Sequence, residues 1–179
     1  MKIALAQLHV EPAAIEANVD RACNAIRSAA VDGASLVVLP ELFSVGYFAF
    51  DSYQRAAEGL DGPTLERIGR VAADEDIAVL AGSIIEDLSA TADRTAAATP
   101  TDEGLANTAV LFDETGRRQA VYRKRHLFGF ESRETELLTP GETAGIADLG
   151  GFRVGITTCY DLRFPEQYRR LLETGVTLA

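Results

Sequence analysis

The chain has few of the groups that tie proteins to metals, membranes or nucleic acids. Its 179 residues include two cysteines and two histidines, and 17 lysines and arginines stand against 27 aspartates and glutamates. A formal charge of -10 repels nucleic acid phosphates and anionic lipid, so neither is expected as a partner. Long apolar runs are missing too. No segment is long enough to span a bilayer, and the opening stretch Met1 to Gln7 is too short for a signal peptide. A cytoplasmic location is the expectation, in a reducing compartment that keeps Cys23 and Cys159 as free thiols. Neither cysteine lies in a ligand spacing and His9 and His126 are isolated, so no metal centre is expected. No Gly-rich loop follows a strand, which removes support for nucleotide binding. No cofactor is implied, and a small molecule is the expected partner.

A hydrophobic content of 47% suffices for one packed domain. Strand and helix patterns alternate along it. A strand at Lys2 to Gln7 leads to a helix from about Asn18 to Val31, whose apolar stripe (Val19, Ala22, Cys23, Ile26, Ala30) takes Cys23 into the core. A strand at Ser35 to Leu39 follows, then a helix to about Asp74 with Thr64 as its N-cap, then a strand at Ile77 to Ile85. Leu88 to Gly104, rich in Ala, Thr and Asp, reads as a surface excursion. Asn107 to Phe112 and Gln119 to Tyr122 form a hairpin around Asp113-Glu114-Thr115-Gly116. Strands near Ile146 to Leu149 and Phe152 to Thr158 and a helix from Phe164 to Glu173 close the pattern. The order argues for a layered α/β architecture.

Three segments carry candidate chemistry. Cys159 ends the apolar run Phe152 to Thr158 and opens Tyr160-Asp161-Leu162-Arg163-Phe164-Pro165-Glu166, a thiol on a strand-to-helix turn as nucleophiles are placed. Glu41 follows the run Leu36 to Pro40, and Lys124 sits within Tyr122-Arg123-Lys124-Arg125-His126-Leu127-Phe128. A thiol is mostly protonated at neutral pH, so a nearby base or positive charge must activate it for attack on a carbonyl. A fixed ammonium and a backbone N–H would then stabilise the oxyanion. His126 offers a Cys-His pair as a rival scheme. Taken singly, Lys124, Arg123 and Arg125 read as solvated surface or interface charges.

Pro40-Glu41-Leu42, Tyr122 to Leu127 and Thr158 to Glu166, in that order, resemble the three signature blocks of the nitrilase superfamily of carbon-nitrogen hydrolases. The resemblance runs over nearly the whole chain. It implies a four-layer αββα sandwich, usually assembled as a homodimer or higher homo-oligomer, and a cofactor-independent amidase working through a cysteine thioester. By the same resemblance Glu41 is the base, Lys124 and the Tyr160 N–H bind the oxyanion, and Cys159 is the nucleophile. A second glutamate is expected ahead of Pro140-Gly141; Glu131, Glu134 and Glu136 compete, and Glu134 matches best by distance. Arg163 is either a ligand for a substrate carboxylate or an ion-pair partner of Asp161 or Glu166. Tyr47, Phe48 and Phe128 are candidates for pocket walls, with core packing as their alternative fate. His126 is expected to support the Lys124 loop.

The substrate expected is a small carboxamide, with an N-carbamoyl amide as the competitor. Cys-Tyr-Asp-Leu-Arg-Phe-Pro-Glu resembles the amidase-like branches more than the nitrilases proper. A dimerising scaffold without activity is the alternative of another class. Gly175 to Ala179 reads as the start of a further buried strand, so residues 1–179 are expected to be the N-terminal portion of a single carbon-nitrogen hydrolase domain, with exposed apolar edge surface.

Overall fold

Alternation of buried positions along the strands sorts the chain into layers. The computed structural model describes residues 1–179. In chain order the elements are β1 (Ile3–Leu5), α1 (Ile15–Val31), β2 (Leu36–Val38), α2 (Tyr53–Ala56), α3 (Pro63–Asp74), β3 (Ala78–Asp87), α4 (Leu88–Arg94), β4 (Leu105–Phe112), β5 (Arg118–Arg123), α5 (Glu134–Leu137), β6 (Gly145–Leu149), β7 (Phe152–Ile156) and α6 (Pro165–Glu173). β1 to β5 form one sheet in sequence order: β1, β2 and β3 run parallel, and β4 and β5 each return antiparallel to the strand before. β6 and β7 make a separate antiparallel hairpin.

Val37, Leu39, Val79, Ala81, Val110 and Phe112 turn to one face of the large sheet. There they meet Val19, Cys23 and Ile26 of α1 and Leu65, Ile68 and Ala72 of α3. The alternate residues Leu36, Ala78, Ala109, Leu111 and Tyr122 turn to the other face, against Leu149, Val154 and Ile156 of the hairpin. Each such fully buried aliphatic side chain contributes about 1.5–3 kcal/mol relative to exposure. On the far side of the hairpin, α6 lies so close that a Cβ added at Gly155 would come within 3.1 Å of Leu171 and Val176. The order is therefore helices, sheet, sheet, helix, the αββα sandwich that the resemblance implies. Leu178 forms a parallel bridge with Val154, so the tail lies along β7 as a strand would.

Local departures have identifiable causes. α1 begins at Ile15 rather than Asn18. The Asn18 amide ties two loops together, its Nδ2 donating to the Glu11 carbonyl before the helix at 2.7 Å and to the Ser44 carbonyl after β2 at 2.9 Å. Thr64 does not cap α3. The helix opens at Pro63, and the Glu58 carboxylate accepts the N–H groups of Thr64 and Leu65 at 3.1 and 3.2 Å, supplying the anion an N-terminus favours. The expected excursion after β3 contains α4, N-capped by Asp87 Oδ1 through the Ala90 N–H at 3.0 Å, with Leu88 and Thr91 fully buried. The Phe128 to Leu138 stretch likewise contains the short helix α5. Arg123 is not a surface residue. Its guanidinium is buried and grips Glu86 through two bonds of 2.7 Å.

Candidate active site

Glu41 stands on the turn after β2, and that turn is pinned by Ser83. The Pro40 carbonyl accepts the Ser83 N–H at 3.0 Å, the Phe43 N–H donates to the Ser83 carbonyl at 3.1 Å, and the Leu42 N–H donates to Ser83 Oγ at 3.1 Å. Ser83 and Gly82 lie where the β3–β4 register shifts, between Ala81 and Ile84. Such an irregularity re-aims side chains at functional ends of sheets. Leu42 is held at a φ of 49°, a conformation its side chain disfavours. The result is a carboxylate presented from a fixed, strained turn.

Lys124 follows β5 directly. Its N–H donates to the Asn107 carbonyl at 2.9 Å, and its carbonyl accepts the Gly141 N–H at 3.0 Å. Gly141 is obligatory there, because a Cβ would overlap the Arg123 carbonyl. The Lys124 side chain is wholly buried. Its Nζ donates to Glu41 Oε1 at 2.7 Å and to Glu134 Oε1 and Oε2 at 2.9 and 3.0 Å. Burial disfavours the ammonium, but the charges and hydrogen bonds of the two glutamates outweigh it and raise the lysine pKa above its ordinary value.

Of the three competing glutamates, Glu134 is the one on the lysine. It is fully buried, and its Oε2 also accepts the Phe128 N–H at 2.7 Å and the Tyr47 hydroxyl at 3.4 Å. Glu131 and Glu136 are exposed, and Glu136 pairs with Arg133 at 3.5 Å.

Cys159 heads a 3-10 turn, Cys159–Arg163, at a φ of 49°. A capping box closes the turn: the Thr158 N–H donates to Asp161 Oδ2 at 2.9 Å, and the Thr158 side chain accepts the Asp161 N–H. Cys159 is exposed to the pocket. Desolvation first, then the charge of Glu41 and its hydrogen bond to the thiol, push the Cys159 pKa up to about 11, against the opposing pull of Lys124. A thiol raised in this way calls for a base beside it, and Glu41 is the carboxylate that lines the same pocket.

A pocket of ≈ 290 Å³ opens over Cys159, lined by Glu41, Tyr47, Phe128, Tyr160, Leu162 and Arg163. Lys124 and Glu134 are fully buried and do not line it. Phe128 and Phe164 stand edge-on to Tyr160, with ring centroids 5.1 and 5.4 Å away. Burial pushes the Tyr47 phenol up to about 12, so it stays a neutral donor. Phe48 is not a wall: it is 76% exposed, edge-on to the outer side of Tyr47. Arg163 makes no ion pair with Asp161 or Glu166. Asp161 is committed to Tyr122, His126 and Thr158, and Glu166 to Arg169 at 3.1 Å. Arg163 is exposed and lines the pocket.

His126 supports the loop after Lys124: its Nδ1 lies 2.7 Å from Asp161 Oδ1, its N–H donates to the same oxygen at 3.1 Å, and its ring stacks on Phe164. Two residues that sequence reasoning passed over, Asn107 and Ser83, join the buried cluster. Neither was signalled in the sequence: Asn107 stood where a strand was expected to open, and only the structure shows that every residue of β4 is buried. No group of three or more His, Cys, Asp or Glu side chains is arranged to hold a metal ion, and no helix is long and apolar enough to cross a membrane.

Comparison with known proteins gives a consistent result. The family model for carbon-nitrogen hydrolases matches residues 2–179. The chain is 38% identical to a 2-oxoglutaramate amidase of Paenarthrobacter nicotinovorans over 154 residues, covering 83% of this chain and 49% of that protein. It is 34% identical to the human omega-amidase NIT2, covering 99% of this chain and 61% of that protein. In three dimensions it is similar to Saccharomyces cerevisiae Nit3, a member of branch 10 of the nitrilase superfamily, with a TM-score of 0.81 and 29% identity over 98% of this chain and 61% of that one. The chain thus spans about half to three fifths of the length of these relatives.

Proposed function

The chain belongs to the carbon-nitrogen hydrolase family, and from that premise we propose that it hydrolyses a small carboxamide through a thioester on Cys159, releasing ammonia and a carboxylic acid. The observation that carries this is the pairing of one buried ammonium, Lys124, with two carboxylates, one of which, Glu41, lines the same pocket as the exposed thiol of Cys159. The amide carbonyl carbon sits over the sulfur. Glu41 takes the thiol proton as the C–S bond forms, and the Lys124 charge and the Tyr160 N–H stabilise the oxyanion. Glu41 then passes the proton to the leaving nitrogen, the C–N bond breaks and ammonia departs. Water enters and gives a proton to Glu41 as its oxygen adds to the thioester carbon; the C–S bond then breaks, Glu41 returns the proton to the sulfur and the carboxylic acid departs. The saturated Glu134 holds the lysine and moves no proton.

Arg163 favours amides that carry a carboxylate, because an exposed arginine without an ion pair among the lining residues of a 290 Å³ pocket matches an acid group on a short substrate. The names of the relatives, 2-oxoglutaramate amidase and omega-amidase, support the same class. N-carbamoyl amino acids share that carboxylate and are the second candidate class. Free thiols at Cys23 and Cys159 suit the cytoplasm, and exposed Leu162 and Leu172 suit a homodimer.

The test is ammonia release from a panel of dicarboxylic acid monoamides, simple aliphatic amides, N-carbamoyl amino acids and nitriles, with Cys159→Ala as the blank. Release that depends on Cys159 and is strongest for the monoamides is expected. Silence across the panel from a folded protein with an unreactive Cys159 would leave a binding scaffold instead.

A further inference from the structure

Glu41 and Glu134 put two carboxylates around one ammonium, and Lys124 alone cannot hold both in register. Asn107 completes the arrangement. Its side chain is buried, and one nitrogen, Nδ2, donates to Glu41 Oε1 at 2.8 Å and to Glu134 Oε1 at 3.0 Å. These are the oxygens that also accept from Lys124 Nζ. The four groups form a closed ring in which the two donors and the two acceptors alternate.

The amide cannot turn round. Ser83 Oγ accepts the Leu42 N–H, so its single proton goes to Asn107 Oδ1, and the carboxylates on the other side are acceptors only. Ser83 therefore fixes both the turn that carries Glu41 and the amide that holds its carboxylate. The Asn107 carbonyl in turn accepts the Lys124 N–H at 2.9 Å, so one residue sets the heights of all three charged groups.

From this geometry we infer that Asn107, oriented by Ser83, is a positioning residue that divides the labour of the two glutamates. With Oε1 of Glu41 occupied by Asn107 and Lys124, the other oxygen, Oε2, is the one left for the thiol proton. Glu134 has both oxygens occupied, by Lys124, Asn107, Phe128 and Tyr47, and works as a fixed counter-ion. The groups facing Glu41 are thus Lys124 from just after β5, Asn107 from β4 and Cys159 from the turn after β7, with the Tyr47 ring over the lysine at 5.7 Å.

The inference rests on the cysteine-thioester reading but not on the identity of the amide, and the test separates the two. 4-Nitrophenyl acetate acylates the thiol with no need for the right amide. The S–C bond forms, the aryl ester C–O bond breaks, the thiol proton passes to Glu41 and 4-nitrophenolate leaves. Its burst and the mass of the Cys159 peptide are followed in wild type, Asn107→Ala, Ser83→Ala and the double variant. Loss of one or two charge-assisted hydrogen bonds predicts a burst rate about 10- to 100-fold lower in Asn107→Ala at unchanged saturation concentration. Ser83→Ala, which touches neither carboxylate, shows a smaller loss of the same kind, and the double variant loses less than the sum of the two, because Ser83 acts on Glu41 partly through Asn107. A burst rate unchanged in folded Asn107→Ala, a saturation concentration that rises instead of the burst rate falling, or losses of the two substitutions that simply add, would overturn the inference. If the burst responds as expected while every amide is refused, the amidase reading fails and the inference stands.

Discussion

Tyr122 Oη donates to Asp161 Oδ2 at 2.5 Å, joining the strand that leads to Lys124 to the turn that carries Cys159. The phenol also accepts from Gln167 Nε2 at 2.8 Å, which brings α6 into the same junction. Burial, then the hydrogen bond and charge of Asp161, hold the Tyr122 phenol well above its ordinary range. Asp161 is buried, with the N–H groups of Thr158 and His126 as further donors. Tyr122→Phe should cost about 1–2 kcal/mol, and Asp161→Ala, which strands several buried donors at once, about 3 kcal/mol or more. Urea unfolding monitored by circular dichroism gives both numbers. Equal, small losses would mean that the junction contributes little to holding the two halves of the site together.

Alkylation of Cys159 should report its raised pKa. With the thiol pushed up to about 11, its reaction with iodoacetamide climbs through pH 8 and 9 and levels off only near that value. The charge and hydrogen bond of Glu41 contribute to the rise, so Glu41→Gln should move the midpoint down and make labelling at pH 8 faster while amide turnover falls. These opposite signs distinguish a proton-accepting glutamate from a structural one. Peptide mass spectrometry separates the signal from Cys23, which is fully buried and should stay unlabelled in the folded protein.

Lys124→Met leaves Glu41 and Glu134 without their shared cation, and breaking a fully buried pair in this way costs about 3–5 kcal/mol. The pH dependence has a definite sign. The folded pKa of Lys124 lies above its ordinary 10.5, so its contribution is fully present below that value and is lost as pH rises through the folded pKa. Wild type and variant should therefore differ by a constant margin from neutral pH to about 10 and converge above it. A margin that already shrinks between pH 7 and 9 would contradict the buried ion pair.

Glu41, Lys124 and Cys159 were legible because each follows an apolar strand and stands in a recognisable local string, and the layer order followed from the alternation of strands and helices. What stayed hidden was set by partners far along the chain. The burial of Arg123 depends on Glu86, 37 residues away. The true cap of α3 is Glu58, in place of the adjacent Thr64 that short-range rules favour. Asn107 looked like an ordinary strand opening, because its role depends on Glu41, Glu134 and Ser83 arriving from three other segments. Propensity and spacing report on neighbours in sequence, and a buried polar ring is built from neighbours in space.

Gly82 tests whether the Glu41 turn must be fixed. A Cβ there would overlap the Leu39 carbonyl oxygen, on the backbone that leads into Pro40 and Glu41. That backbone has little freedom to retreat, because the Leu39 N–H is bonded to the Leu80 carbonyl at 2.9 Å and the Pro40 carbonyl to the Ser83 N–H at 3.0 Å. Gly82→Ala should then cost about 1–3 kcal/mol of stability, as overpacking does. Displacing the carboxylate from the thiol by even part of an ångström should also lower kcat by about 100-fold with little change in KM. Gly129→Ala is the matched control. Its Cβ would meet only Thr135, at 3.4 Å, an ordinary contact on an exposed loop, and it should leave both quantities as they are. If Gly82→Ala melts and turns over like this control, the turn can yield without consequence, and a rigidly presented Glu41 is not what the chemistry requires.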